Sequence, residues 1–354
     1  MFDADSKKWL ISLMGDTVRF DEPMAAHTSF RVGGPADAYA VPESPEVLRK
    51  LIRGCGERNI PHTLIGGGTN LLVRDKGIRG VVIAMTRRFS EIRTSFPTRS
   101  GPENLNHPGQ RLICQSGKAE NSRKGEETFI TAGAGSRLSA LCAFALRNGL
   151  GGMNFAMGIP GTVGGAICMN AGTAIGSMGD TLEFVKILLP GGEIERIQKE
   201  KLNFSYRRFS IRRHETEIGD SHCCDSDDFV LLEGRFRLYP TDPGKLMGAA
   251  RELLRTRRKK QPPGPSAGCF FKNPFPAGSA SGLTKMVAGK LLDRAGLKGK
   301  RVGGAEISPI HANFIINRNR ASAADILALA ELVRETVAER FDLELEPEVR
   351  IIGE

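Results

Sequence analysis

The sequence predicts an α+β protein of two or three domains, and three observations support this fold class. The chain has 354 residues, 40% of them hydrophobic and 25% charged, which is enough to bury an ample core. Segments with helical and strand-like patterns alternate along it. Two glycine-rich clusters are expected at strand ends, where ligands usually bind.

A small α/β unit is predicted in the first part of the chain. Ser44, Pro45 and Glu46 combine a helix cap, a proline at the first helical position and an acidic first turn, so we expect a helix that continues to about Asn59. Short apolar runs at 62–65 and 81–85 predict two strands.

The first glycine cluster follows the strand at 62–65. It consists of Gly66, Gly67, Gly68, Thr69 and Asn70. The cluster lacks the Lys-Ser/Thr pair of a Walker A loop, and its spacing is not the Gly-x-Gly-x-x-Gly of a dinucleotide-binding turn. Two separated loops are therefore needed to hold a pyrophosphate here.

The central part of the chain is predicted to be a strand and a helix followed by antiparallel strands. The first strand covers 128–132, and the helix after it ends at Gly149. Further strands are expected at 182–189, 193–197 and 229–238. The polar segments 97–126 and 214–228 are expected to be surface loops.

The second glycine cluster, residues 158–172, carries no charged side chain. Because glycine lets backbone N–H groups approach a phosphate or a flat ring closely, this segment favours a large anionic cofactor. Tight turns inside a buried sheet are the alternative interpretation.

The last part of the chain is predicted to be more helical. Residues 262–265 read Pro-Pro-Gly-Pro, a stiff connector typical of a domain boundary. Ser322 and Asp325 predict a capping box. Two apolar helix faces are expected in the core, one formed by Leu283, Val287, Leu291 and Ala295 and one by Ile326, Leu329, Val333 and Val337.

The net charge of +10 raises the question of nucleic-acid binding. The basic run 255–260 has no interleaved aromatic residues, and the chain contains one Trp and three Tyr. Stacking platforms for bases are therefore scarce. A positive field that attracts phosphorylated small molecules explains the same charge, and we expect no nucleic-acid partner.

The first residues are polar and acidic, without a signal peptide or membrane span, so we expect a cytoplasmic protein without membrane insertion. Seven cysteines scattered over the chain do not suggest a disulfide framework, and most are expected to be reduced. Cys223 and Cys224 lack the Cys-x-x-Cys spacing of a zinc site, and no metal is predicted.

Three short segments contain chemistry that neither packing nor capping explains. They present Arg207 after Tyr206, Cys269 within a small-residue turn, and Glu348 near the end of the chain. An enzyme that reduces a polarised double bond needs a cation for the developing oxyanion and an acid for the last proton. A structural Tyr-Arg pair, a buried thiol and a solvated carboxylate remain the alternative.

The chain resembles the UDP-N-acetylenolpyruvoylglucosamine reductase family, flavoproteins of peptidoglycan precursor synthesis, from about Thr28 to Ile352. The resemblance rests on both glycine clusters and on Phe-Ser-Tyr-Arg207, Ser-Ala-Gly-Cys269-Phe-Phe-Lys-Asn-Pro, Ala-Gly-Leu-Lys-Gly-Lys-Arg-Val-Gly-Gly-Ala305, His311-Ala-Asn-Phe and Leu-Glu-Pro-Glu348-Val-Arg. Only the segments 97–126 and 214–228 are additional.

The resemblance implies two α/β domains of the FAD-binding PCMH or vanillyl-alcohol-oxidase-like kind and a C-terminal α+β substrate-binding domain. The implied boundaries are 1–87 with a returning strand at 349–354, then 88–262, then 263–348. A monomer is expected.

The resemblance also implies non-covalent FAD between the first two domains, NADPH as reductant, and a UDP-sugar substrate. Hydride passes from flavin N5 to C3 of the enolpyruvyl group, and a proton is added at C2. The implied cofactor-binding residues are Gly66, Gly67, Gly68, Thr69, Asn70, Gly158, Ile159, Pro160, Gly161, Thr162, Gly164, Gly165 and Ala166.

Carried over position by position, Arg207 matches the arginine that steadies the enolate, Glu348 the carboxylate beside the substrate carboxyl group, and Cys269 the proton donor. The implied substrate-binding residues are Tyr206, Lys260, Lys272, Asn273, His311 and Asn313.

Cys269 departs from the pattern, since many family members have serine there. With an ordinary pKa of about 8.5, a thiol is a stronger acid than an alcohol and can donate the proton. Arg207 and Lys272 could lower that pKa. We therefore expect activity to fall on the alkaline side as the thiol ionises, and we expect sensitivity to alkylating agents.

Three classes of function remain open on sequence alone. The first is the cell-wall reductase. The second is a flavoprotein of the same fold that oxidises an alcohol or hydroxy acid with oxygen, often with covalent flavin, and it should lack the combination of Arg207, Cys269 and Glu348. The third is a nucleic-acid binder, which the scarcity of aromatic residues disfavours.

Overall fold

The computed structural model describes residues 2–95, 127–213, 216–218, 229–274 and 286–354. The predicted loop 97–126 lies outside these residues. Of the predicted loop 214–228, only Thr216–Ile218 is described, and it forms a strand.

The first region contains a four-stranded sheet, in the order β1-β2-β5-β3, covered by a helix. Strands β2, β5 and β3 run parallel, as in an α/β unit. Helix α2 forms as predicted: the Ser44 side chain accepts from Val47 N, and Leu48 and Leu51 are fully buried. The elements are α1 (Ala4–Met14), β1 (Val18–Pro23), β2 (Pro35–Ala40), α2 (Pro45–Glu57), β3 (His62–Ile65), β4 (Leu71–Val73) and β5 (Ile78–Ala84).

The central region is an antiparallel sheet in the order β12-β11-β16-β7-β6, with β8 beside β16. Its core is contiguous and includes residues of both α3 and α4. The elements are β6 (Ile92–Ser95), β7 (Thr128–Gly133), α3 (Leu138–Arg147), β8 (Leu150–Gly151), α4 (Val163–Cys168), β9 (Gly172–Thr173), β10 (Gly176–Ser177), α5 (Met178–Thr181), β11 (Leu182–Leu188), β12 (Ile194–Gln198), β13 (Leu202–Ser205), β14 (Arg208–Arg213), β15 (Thr216–Ile218), β16 (Val230–Pro240) and α6 (Pro243–Lys260).

The last region packs two helices against a small three-stranded sheet in the order β17-β18-β19. The predicted capping box is confirmed, since Ser322 and Asp325 bond reciprocally at the start of α8. The elements are α7 (Ala288–Arg294), β17 (Arg301–Val302), β18 (Ala305–Ile307), β19 (Ile315–Asn317), α8 (Ala323–Phe341) and β20 (Arg350–Ile352).

The predicted apolar face of α7 needs a correction. Leu291 and Ala295 are buried, but Val287 is 45% exposed because it caps the helix and lies outside its first turn. Leu283 lies outside the described residues. On α8, all four predicted core residues are fully or almost fully buried.

The end of the chain returns to the first region, as expected. Strand β20 pairs in parallel with β4, Arg350 with Leu71. The Asp75 carboxylate, next to β4, accepts from Ala323 N at 2.8 Å and Ala324 N at 2.9 Å at the start of α8. These contacts join the last region to the first, while the domain boundaries themselves stay a prediction.

Among the described cysteines, Cys55, Cys142 and Cys269 are free, in line with expectation. Cys168 differs, because it is disulfide-bonded. Within the described residues, no helix has the length and apolar character needed to cross a membrane.

Candidate active site

A cavity of about 450 Å³ lies where the three regions meet. Most of the predicted site residues line it. From the glycine clusters these are Gly66, Gly67, Gly68, Thr69, Asn70, Ile159, Pro160, Gly161, Thr162, Gly165 and Ala166, and from elsewhere Arg207, Lys260, Cys269, His311 and Glu348.

The two glycine clusters touch each other at one wall of this cavity. A Cβ atom at Gly161 would lie 2.8 Å from Thr69 Oγ1, and one at Gly66 would collide with Thr162 Oγ1. Gly68 has a φ of +62°, and a Cβ there would collide with the backbone carbonyl of His27. At Gly66, Gly68 and Gly161 this wall is therefore backbone that leaves no room for a side chain.

Two predicted glycines lie off the cavity. A Cβ at Gly164 would lie 2.9 Å from Ala134 Cβ, so this glycine serves the packing of α4 against the end of β7. Gly158 lies against the Arg257 side chain, whose Cδ would be 3.0 Å from a Cβ there. Gly165 behaves differently, since a Cβ there would meet only Thr162 Oγ1 at 3.5 Å.

Arg207 and Glu348, which also line the cavity, form an ion pair. Arg207 occupies the tip of the β13–β14 hairpin with a φ of +59°, a conformation rare for residues with a side chain. Its Nε donates to Glu348 Oε1 at 2.7 Å, and the two side chains are only 21% and 13% exposed. Burial raises the pKa of Glu348 above its ordinary value, and the Arg207 charge offsets part of that effect.

Cys269 is placed beside this pair by backbone contacts on both sides of its segment. On one side, Cys269 forms an isolated antiparallel β-bridge with Phe314. Next to it, Phe270 N donates to Asn313 O at 2.7 Å. On the other, Glu348 N donates to Phe270 O at 2.7 Å. The thiol and the carboxylate, far apart in sequence, are thus held on neighbouring backbone.

The expected pKa of Cys269 was wrong in direction. Burial, and secondly the negative charge of Glu348, raise the pKa of the thiol to about 12, and Arg207 offsets this only in part. Lys272 is not among the groups that shift the pKa of the thiol, and its ammonium pairs with Glu346 at 2.5 Å. The thiol therefore stays protonated through the neutral range, and its reaction with alkylating agents should be slow.

Four predicted substrate-binding residues do not line the cavity. Tyr206 Oη accepts from Asn273 N at 3.2 Å, and Asn273 Oδ1 accepts from Ala288 N at 3.0 Å at the start of α7. The Asn313 side chain is buried and bonds both backbone groups of Phe271, accepting from its N–H and donating to its carbonyl. Lys272 is the fourth. Their contacts brace the segment that holds Cys269.

Two cations that sequence reasoning missed also line the cavity, Arg257 and Arg350. Arg257 lies three residues before Lys260 on α6, a spacing that places both on one helix face. Arg350 lies two residues after Glu348, the spacing of side chains on one face of extended backbone. Periodicity could therefore have found both.

His311 lines the cavity and packs edge-on against Phe314, with ring centroids 4.9 Å apart. Burial lowers the pKa of its imidazole, which favours the neutral ring at physiological pH. A neutral, partly apolar ring suits contact with an uncharged part of a ligand.

The cavity fits a large anionic cofactor. One wall offers backbone without side chains, and Arg257, Lys260 and Arg350 add positive charge. No cluster of three His, Cys, Asp or Glu that could hold a metal ion occurs among the described residues, and His222, Cys223 and Cys224 lie outside them.

Comparisons with known proteins match this architecture region by region. The UDP-N-acetylenolpyruvoylglucosamine reductase C-terminal domain matches residues 259–352, and an FAD binding domain matches residues 36–100 and 119–198. The predicted α+β fold, with FAD-binding domains followed by a separate C-terminal domain, is confirmed, and FAD is the cofactor.

Whole-chain relatives agree with these matches. A UDP-N-acetylenolpyruvoylglucosamine reductase of Desulfosudis oleivorans is 44% identical over 99% of this chain and 100% of its own length. One of Heliobacterium modesticaldum is 39% identical over 94% of this chain and 90% of its own.

A solved structure adds the fold. The crystal structure of UDP-N-acetylenolpyruvylglucosamine reductase from Thermus caldophilus has a TM-score of 0.67 and 31% identity over 94% of this chain and 97% of its own. Since the likeness spans the glycine clusters and the segments of Arg207, Cys269 and Glu348 alike, the chain belongs to the UDP-N-acetylenolpyruvoylglucosamine reductase family.

Proposed function

We propose that this chain reduces the enolpyruvyl group of UDP-N-acetylglucosamine enolpyruvate to give UDP-N-acetylmuramate, with NADPH as the reductant. The observation that carries the proposal is the convergence of Arg207, Cys269 and Glu348 on a cavity whose other wall is formed by both glycine clusters. Bound FAD supplies the hydride that C3 of the enolpyruvyl group accepts, after reduction by NADPH.

Cys269 completes the reaction as the acid. Its thiol keeps a proton because burial raises the pKa to about 12, and Sγ gives that proton to C2 of the substrate. Hydride at C3 and a proton at C2 together saturate the double bond. The thiolate left behind has a high pKa, so it recovers a proton from water once product leaves.

Arg207 stabilises the negative charge that develops on the substrate. Within the described part of the chain, Nε is the guanidinium nitrogen that bonds Glu348, which leaves the terminal nitrogens for a substrate carboxylate or enolate oxygen. In a partly buried site such a preorganised cation is more effective than in water, because little reorganisation is needed. Glu348 holds the guanidinium in this orientation.

The remaining cavity residues bind the substrate and the cofactor. Lys260 and Arg257, at the end of α6, contact diphosphate groups, and the neutral His311 lies on the uridine side. Lys272, Asn273, Tyr206 and Asn313 act on the substrate indirectly, through the segment that carries Cys269.

Flavin absorbance tests this function. We expect the purified protein to be yellow, to be bleached by NADPH without oxygen, and to regain its colour when UDP-N-acetylglucosamine enolpyruvate is added. A simple alcohol should leave the oxidised flavin unreduced, whereas a flavoprotein of the alcohol-oxidising class would be reduced by it. Failure of the enolpyruvyl nucleotide to reoxidise the flavin would refute the proposal.

A further inference from the structure

Each glycine cluster contains an asparagine whose side chain reaches out to a catalytic segment. Asn70 ends the first cluster, and its Nδ2 donates to the backbone carbonyl of Glu348 at 3.0 Å. Asn170 lies in the second cluster, and its Nδ2 donates to the backbone carbonyl of Ser205 at 3.0 Å. Ser205 is two residues before Arg207.

Asn70 holds Glu348 from the side of the cofactor wall. The backbone carbonyl of Asn70 accepts from Arg350 N at 3.0 Å. Asn70 therefore contacts the backbone both at Glu348 and two residues beyond it. The third contact of this segment is Glu348 N to Phe270 O. The backbone that carries the Glu348 carboxylate is thus held between the Cys269 segment and the first glycine cluster.

Asn170 holds the hairpin of Arg207 in the same way. It adopts a φ of +39°, which asparagine tolerates better than most residues with a side chain. Its Oδ1 accepts from Gly179 N at 3.1 Å, which orients the amide so that Nδ2 points at Ser205. Arg207, two residues after Ser205, adopts the left-handed conformation at the tip of this hairpin.

We infer that Asn70 and Asn170 are positioning residues, which tie each cofactor loop to one partner of the Arg207–Glu348 ion pair. The placement of the cofactor wall and the placement of the ion pair are thereby set together. This matters because small displacements of catalytic groups cost large factors in rate. The inference rests on the proposed function, since it takes Arg207 and Glu348 as catalytic.

Two variants remove these contacts with little other change. Asn70→Ala keeps the carbonyl that accepts from Arg350. Asn170→Asp keeps an oxygen for Gly179 N and tolerates the positive φ, but it loses the donor to Ser205. Asn148→Ala is the matched control, because Asn148 Nδ2 donates to Phe144 O at 2.8 Å on an exposed helix end remote from the cavity.

We expect kcat to fall about tenfold in each of the first two variants, with the control unchanged, because the ion pair is less well oriented. The dissociation constant of FAD, measured by fluorescence titration of the apoprotein, should stay within about twofold of the wild type, as should KM. A weakened affinity for FAD with unchanged kcat would assign Asn70 to the cofactor and overturn the inference.

Double variants separate positioning from general stability. Asn70→Ala should cause no further loss of kcat in a Glu348→Ala background, and Asn170→Asp none in an Arg207→Ala background, because nothing is left to position. A loss of kcat in the variant background as large as the loss in the wild-type background would overturn the inference. Full activity of Arg207→Ala and Glu348→Ala themselves would instead refute the proposed function. Melting temperatures confirm that each variant is folded.

Discussion

The two walls of the cavity are built in opposite ways. The cofactor wall consists of glycine backbone from two clusters, and its shape depends on the absence of side chains at Gly66 and Gly161. The reaction wall consists of three side chains, Arg207, Cys269 and Glu348, brought together from three segments. Under the proposed function, holding the flavin and choosing the reaction are separate tasks, carried by different parts of the chain.

The walls also differ electrostatically. The cofactor wall contributes uncharged residues, whereas burial in the reaction wall raises the pKa of both Cys269 and Glu348. Side chains added to the glycine backbone of the first wall should therefore affect flavin content, and changes to the second should affect turnover and its pH dependence.

The largest effect is expected from filling the cofactor wall. Gly165→Leu places a side chain in open space toward the cavity, so we expect folded, colourless protein without activity. Flavin absorbance after purification and circular dichroism measure the two properties. The matched control is Gly248→Leu on α6, where nothing lies within 4 Å of a Cβ, and it should remain yellow.

Gly164 sharpens this test. Gly164→Leu would collide with Ala134 in the packing of α4, so we expect a lower melting temperature as the primary defect rather than selective loss of flavin. A folded, yellow and active Gly165→Leu protein would contradict the assignment of this wall.

Removing the acid from the reaction wall should be nearly as severe for turnover and harmless for flavin. Cys269→Ala is expected to lower kcat by about 10²- to 10⁴-fold in yellow protein, because general acid catalysis is lost. Cys269→Ser should retain far more activity, because a hydroxyl can also donate a proton. Cys142→Ala, at a buried free thiol in the core of the central region, is the control. Full turnover of Cys269→Ala would exclude the thiol as the donor.

The pH dependence should follow the carboxylate and not the thiol. The paired Glu348 must be ionised and its pKa is raised above the ordinary 4.5, so kcat should fall as pH decreases through that raised value. Cys269 must be protonated and its pKa is about 12, so no thiol-dependent loss is expected up to about pH 10. The acid limb should disappear in Glu348→Gln. An alkaline limb near 8.5 that Cys269→Ser removes would contradict the raised thiol pKa.

The smallest effect is expected from the cations between the walls. Arg257→Ala should weaken binding of FAD or substrate by about tenfold with little change in kcat, because it removes charge-assisted contacts to phosphate. Arg255→Ala changes an exposed residue of the same helix, paired with Glu252 at 3.2 Å, and should be nearly neutral. Equal effects of the two variants, seen in titrations, would show that only net charge matters.

Much of the local structure could be predicted from the sequence. The cap at Ser44, the capping box of Ser322 with Asp325 and the buried face of α8 depend on residues within a few positions of one another, so their patterns are readable. The apolar spacing predicts Val287 on the buried face of α7, but the helix begins at Ala288, so Val287 lies before its first turn.

The site was predictable in its residue types but not in its contacts. From sequence, Gly164 is predicted at the cofactor and Lys272 near the thiol. The structure uses Gly164 for packing against Ala134 and pairs Lys272 with Glu346. Neither contact is visible in sequence, because its partner lies far away along the chain.

By itself, the sequence determined helices such as α2 and α8, the two glycine clusters, the family and the set of candidate catalytic residues, because each depends on local pattern or on motifs in order. The tertiary structure alone decided that Cys269 keeps its proton, that Arg207 pairs with Glu348, and that Asn70 and Asn170 connect the two walls. Burial and hydrogen bonding between distant segments exist only once the chain has folded, and they set the chemistry of the glycine-walled cavity.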